Sequence, residues 1–86
     1  MKLSDAIQAG AGMLQTPGPS HVLDCWTAAQ AGLLGRWPSP AETCPFYWEN
    51  PWGIAPGSDL EYWLRLTVTA KYHWSDIIKR LRRFGV

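Results

Sequence analysis

Five cations fall within thirteen residues of one stretch, KYHWSDIIKRLRRFGV: Lys71, Lys79, Arg80, Arg82 and Arg83. Lys and Arg clustered this way suit two chemistries, contact with nucleic-acid phosphates or ion pairing with a carboxylate-rich protein surface. Ser75 is placed to cap a helix from Asp76 to Phe84, with Gly85 after it. At about 100° per residue, Ile77, Ile78, Leu81 and Phe84 share one side of that helix. Lys79, Arg80, Arg82 and Arg83 fill the other. A basic helix after a short turn invites a helix-turn-helix reading. The turn Lys71–Trp74, however, contains no glycine, and Asp76 would lead into the groove and repel phosphate. The cations also lie toward the helix C-terminus, where the macrodipole favours them in any fold. The residues therefore describe an amphipathic helix closing a small domain with a solvated basic face. DNA contact through the same face is the alternative.

Cys25, Cys44, His21 and His73 are the soft ligands a zinc site would need. His21 and Cys25 stand one helical turn apart, but there is no CxxC or HxxxH spacing. Buried structural thiols are the expected state, and no metal or cofactor is expected. Neither cysteine adjoins a histidine, and there is no G-x-S-x-G and no glycine-rich phosphate loop. A Cys–His pair distant in sequence can still meet in a fold, but the expectation is a protein that is not an enzyme.

The third candidate is aromatic. Trp37, Phe46, Tyr47, Trp48 and Trp52 crowd an irregular stretch that includes CPFYWENPWG. Stacking on single-stranded bases would call for interleaved cations, and none lies between Trp37 and Glu61. At least three of these rings are expected in the core. Trp48 or Trp52 at the rim would serve a protein partner, since Trp is favoured at binding hot spots.

The elements that must carry these groups are helical. Ser4 is placed to cap a first helix to about Leu14, its apolar positions Leu3, Ile7, Ala11 and Leu14 recurring every three or four residues. Thr16–Ser20 (TPGPS) breaks the chain. A second helix is expected over Val22–Leu34, closed by Gly35, with the small residues Cys25, Ala28, Ala29 and Gly32 on one side for close packing. Ser39-Pro40-Ala41-Glu42 reads as a capping box opening one or two turns before Pro45. Ser58-Asp59-Leu60-Glu61 is a second box, opening a helix to about Tyr72 that is apolar nearly all round and so expected mid-bundle. The β-branched run Thr67-Val68-Thr69 makes a strand the competing reading there.

Eighty-six residues with 47% apolar or aromatic side chains and only 17% charged suit one folded domain, 1–86, and exclude a disordered chain. Two cysteines make no disulfide framework, and neither a signal core nor a membrane-spanning run is present. Reduced thiols in the cytoplasm are expected. Residues 1–61 carry two Lys/Arg against six Asp/Glu, a net −4, and residues 62–86 carry six against one, a net +5. Such polarity steers a charged partner or matches two halves of one fold.

Three segments, MKLSDAIQAGAGM, DCWTAAQAGLLG and HWSDIIKRL, together resemble a group of small proteins of unknown function encoded in phages, prophages and bacterial genomes. Where members of that group carry acidic residues and a Trp near the end of the last helix, this chain has Lys79 to Arg83. Where many carry a central cysteine pair, it has Cys44 alone. The resemblance implies a mobile-element setting and not an activity; by analogy with that setting, the expected partner is a host protein that the chain inhibits or redirects, for example in antiviral defence or transcription. Together these readings predict a mainly α bundle of four or five helices with an aromatic, proline-rich loop. Its expected function is protein binding, through Lys79, Arg80, Arg82 and Arg83 with Trp48 or Trp52 at the rim.

Overall fold

The computed structural model describes residues 1–14, 23–39, 42, 49–69 and 73–86. Those residues form four helices: α1 (Leu3–Gly12), α2 (Cys25–Leu34), α3 (Asp59–Leu64) and α4 (Trp74–Arg83). The protein is mainly helical, as the periodicity predicts. Buried side chains from all four helices join in one cluster, among them Leu3, Ile7, Trp26, Ala28, Ala29, Leu64, Ile77 and Leu81.

The centre of the fold is the α1–α2 pair. Two of its three glycines, Gly10 and Gly32, stand where the other helix's backbone comes closest. A Cβ at Gly10 would lie 1.8 Å from the Ala28 carbonyl oxygen, and one at Gly32 would lie 2.2 Å from that of Ala6. Early residues of α1 thus meet late residues of α2, so the helices run antiparallel. The small face expected from Cys25, Ala28, Ala29 and Gly32 is this contact. α4 packs on the flank of α1.

The ends of the helices differ from expectation in instructive ways. Ser4 is not a cap: α1 begins at Leu3 with Lys2 in the extended cap position, and Ser4 is fully buried. Asp5 does lie in the first turn, where the helix dipole favours it. α2 begins at Cys25, because Asp24 takes the cap and its Oδ1 accepts the Thr27 N–H at 2.6 Å. Gly35 closes α2 in the left-handed conformation, φ 79°. α4 begins at Trp74, and its cap is His73, whose Nδ1 accepts the Ser75 N–H at 3.4 Å. Ser75 therefore sits inside the first turn and does not precede it.

The largest correction concerns α3. Ser58 caps it as expected, accepting the Glu61 N–H at 3.2 Å, but the helix ends at Leu64 and not near Tyr72. Beyond it the backbone turns to a different partner. Thr67 forms an antiparallel bridge with Asp24, and the Val68 N–H donates to the Leu23 carbonyl at 2.6 Å. The β-branched run wins locally, so α3 lies at the edge of the fold: Leu64 is buried, Leu60 and Trp63 are half-buried, and Leu66 is exposed.

Side-chain amides dock the loop before α3. Gln30 of α2 pairs both ways with the Glu49 backbone, at 2.6 and 2.9 Å. Asn50 does the same with Ile54, at 2.7 and 3.0 Å. The glutamate arm of the Ser39–Glu42 box also forms. The Glu42 carboxylate accepts the Ser39 N–H and hydroxyl at 3.1 and 3.0 Å and is gripped by both terminal nitrogens of the Arg36 guanidinium. Arg36, with the Ser39 bonds assisting, holds the Glu42 carboxyl down at about 2. The turns expected after it lie outside the described residues.

Candidate functional site

Ile77, Ile78 and Leu81 fix how α4 sits, because all three are buried against the rest of the cluster. With about 100° between residues, that buried stripe sorts the cations into three groups. Arg82 lies on the flank toward α1, where it pairs with Asp5 and Gln8. Arg80 and Phe84 lie on the opposite flank, toward α3. Lys79 and Arg83 point away from the stripe. Lys79, Arg80 and Arg83 are exposed, and none of their side chains forms a hydrogen bond or ion pair among the described residues. The expected four-cation face is therefore three cations, with Arg82 used in the fold.

Phe84 departs from its expected place in the core and is 79% exposed. It follows the last helical residue, at the C-cap of α4, beside a hollow of 330 Å³. Leu60 and Trp63 of α3, Arg80, Leu81 and Phe84 of α4, and Val86 line this hollow. It exists because α3 touches α4 only marginally. A second hollow, of 210 Å³, shares Leu60 and Val86 as wall and continues past Gly85, Ile54 and Trp52 to Leu3 and Lys2.

Trp52 is half-buried and tethered. Its indole N–H donates to the Met1 carbonyl at 2.9 Å, and its ring meets Trp26 edge-on with centroids 6.4 Å apart. Arg65 covers Trp26 from another side, its guanidinium carbon 5.4 Å from the ring centre. Trp37 also packs against the core. Trp48, with Phe46 and Tyr47, lies outside the described residues, so Trp52 is the expected rim aromatic whose place is given.

The soft ligands do not gather among the described residues. Cys25 is buried at the start of α2, where desolvation and then the neighbouring Asp24 charge push its thiol up to about 12. Asp24 is itself raised, by burial, against the Thr27 hydrogen bonds and the Arg65 charge. His73 is the cap of α4. His21 and Cys44 lie outside the described residues, and among those described no cluster of three or more His, Cys, Asp or Glu could hold a metal ion. No described helix is long and apolar enough to cross a membrane.

A helix-turn-helix needs its two helices packed as a unit. Here α4 has α1 as its main helical neighbour, and Asp76 occupies its first turn. Sequence reasoning found the cations but missed the hollow beside them. The signal was present in Leu60 and Trp63, one turn apart on α3, but reading it required knowing that α3 stops at Leu64. No family model matches the chain, and comparison with curated proteins and with solved structures gives no match.

Proposed function

We propose that this chain is a non-enzymatic protein-binding module that engages an acidic surface of a host protein through α4. One observation carries the reading: Lys79, Arg80 and Arg83 are exposed and without an ionic partner among the described residues, and Arg80 lines an open apolar hollow. A cation that only balances its own fold would sit as Arg82 does, against an acid of a neighbouring helix. Charge beside an apolar recess matches the composition of interfaces, where a hydrophobic centre is ringed by polar groups. The resemblance of MKLSDAIQAGAGM, DCWTAAQAGLLG and HWSDIIKRL to phage and prophage proteins gives the setting, modulation of a host protein in the cytoplasm, as in antiviral defence or transcription.

The test is parallel capture from host lysate with the wild-type chain and with the Lys79→Glu/Arg80→Glu/Arg83→Glu variant. A partner retained by the first and lost by the second supports the reading. A partner retained equally by both refutes it.

The same three cations favour one second reading, a small DNA-binding regulator. It predicts duplex binding that weakens with salt, at a log–log slope of about −3 if three phosphates are contacted. Absence of duplex binding at low salt removes it.

A further inference from the structure

The two hollows are neighbours that share Leu60 and Val86 as a common wall. Together they make an apolar track, from Phe84 and Trp63 at one end to Trp52, Ile54 and Leu3 at the other. A cation stands at each end, Arg80 in the larger hollow and Lys2 in the smaller. Lys79 and Arg83 extend the positive charge outward from the Arg80 end. We propose that this track is the docking site for an acidic peptide segment of a partner protein, one apolar side chain filling each hollow and carboxylates meeting Arg80 and Lys2. The inference rests on the protein-binding reading and adds the location and chemistry of the contact.

Two features select this occupant. The larger hollow, at 330 Å³, falls near the small end of ligand pockets, about 300–1,000 Å³. A second hollow lies immediately beside it, so the pair suits two anchors on one chain. The charge selects the rest of the segment. A second copy of this protein seated on the track would bring its own Arg80 and Arg83 to a strip that already carries those cations, and like charges oppose that pairing. A segment rich in Asp and Glu gains from the same strip. Phe84, exposed and lining the larger hollow, is placed to close over the anchor there.

The experiment is selection from a randomised displayed-peptide library against the full chain, followed by NMR of the enriched peptides on the labelled protein. The expected winners carry two apolar residues and an excess of Asp and Glu. They shift the indole N–H signals of Trp63 and Trp52 and lose at least about tenfold in affinity against Phe84→Ser and against Arg80→Glu separately. Phe84 is exposed, so its replacement leaves the fold in place, which a melting curve of the variant checks.

Failure to enrich any peptide overturns the inference, as do winners without acidic bias or shifts confined to other residues. Loss of binding in Arg80→Glu with none in Phe84→Ser overturns the track while leaving the basic face intact as a contact. Loss in Phe84→Ser with none in Arg80→Glu overturns the acidic partner. Concentration-dependent dimers abolished by Phe84→Ser make a second copy the occupant and overturn it as well. The underlying protein-binding reading fails separately, if the captured host partner ignores Lys79, Arg80 and Arg83.

Discussion

Arg82 of α4 reaches Asp5 of α1, its guanidinium 3.5 Å from the Asp5 carboxylate oxygen and also bonded to the Gln8 side chain. The contact joins residues 77 positions apart and assigns one of four neighbouring cations to the fold. The polarity of the chain, acidic early and basic late, thus has two uses: part is an intramolecular match, and part is left on the surface. Both members of the pair are about half exposed, so water and salt screen it. Arg82→Ala should cost less than about 1 kcal/mol in denaturant unfolding. A larger loss would mean that the pair holds α4 in place.

Ser4 offers a test of where α1 begins. Its hydroxyl is buried without a hydrogen-bond partner among the described residues. Ser4→Ala should therefore leave stability unchanged or raise it by up to about 1 kcal/mol, since it removes a desolvated polar group. A helix cap would behave oppositely and lose about 1 kcal/mol. Chemical denaturation of the two proteins separates these outcomes by sign.

The α1–α2 contact predicts a contrast among three glycines. Gly10→Ala and Gly32→Ala each drive a methyl into rigid backbone of the facing helix, and each should cost about 3 kcal/mol or more. Gly12 ends the same helix with nothing within 4 Å of its Cβ position. Gly12→Ala should be neutral or stabilising by about 0.5–1 kcal/mol. Melting temperatures of the three variants check the order.

Cys25 should be inert in the folded protein. Its thiol is buried, and desolvation with the Asp24 charge pushes it up to about 12, so it stays protonated at pH 8. Alkylation followed by peptide mass spectrometry should find Cys25 unmodified under native conditions and modified after denaturation. The linkage has a definite sign. The folded value lies above the ordinary thiol value of 9.0, so the unfolded chain releases its proton first. The contribution is constant below pH 9 and turns against folding as pH rises from 9 toward 12. Cys25→Ala should lose less stability than wild type between pH 8 and pH 10.

Helix content was legible because it rests on local signals: apolar spacing in α1 and α4, Gly35 after α2, Ser58 before α3. Of the boundaries that differed, the end of α3 was decided by groups distant in sequence, and the starts of α2 and α4 by the local caps Asp24 and His73. Ser4 resembles a cap in one dimension but is fully buried in the fold. The apolar run after Leu64 resembles a long helix, yet the backbone of Leu23 and Asp24 captures Val68 and Thr67. Asp24 itself was readable, as an Asp immediately before a helical run, but the longer apolar stretch from Val22 obscured it. The cations of the candidate site were plain from the sequence. The recess beside them was not, because it arises from the divergence of two helices whose contact no periodicity encodes.

The central claim is that the exposed cations of α4 meet a protein and that Arg82 does not. Its most direct test is the affinity of the captured host partner for three chains: wild type, Lys79→Glu/Arg80→Glu/Arg83→Glu, and Arg82→Ala. The triple variant should bind at least about tenfold more weakly, a loss of about 1.4 kcal/mol, while Arg82→Ala stays within about twofold of wild type. Equal affinity for all three chains, or a loss in Arg82→Ala as large as in the triple variant, would contradict the account.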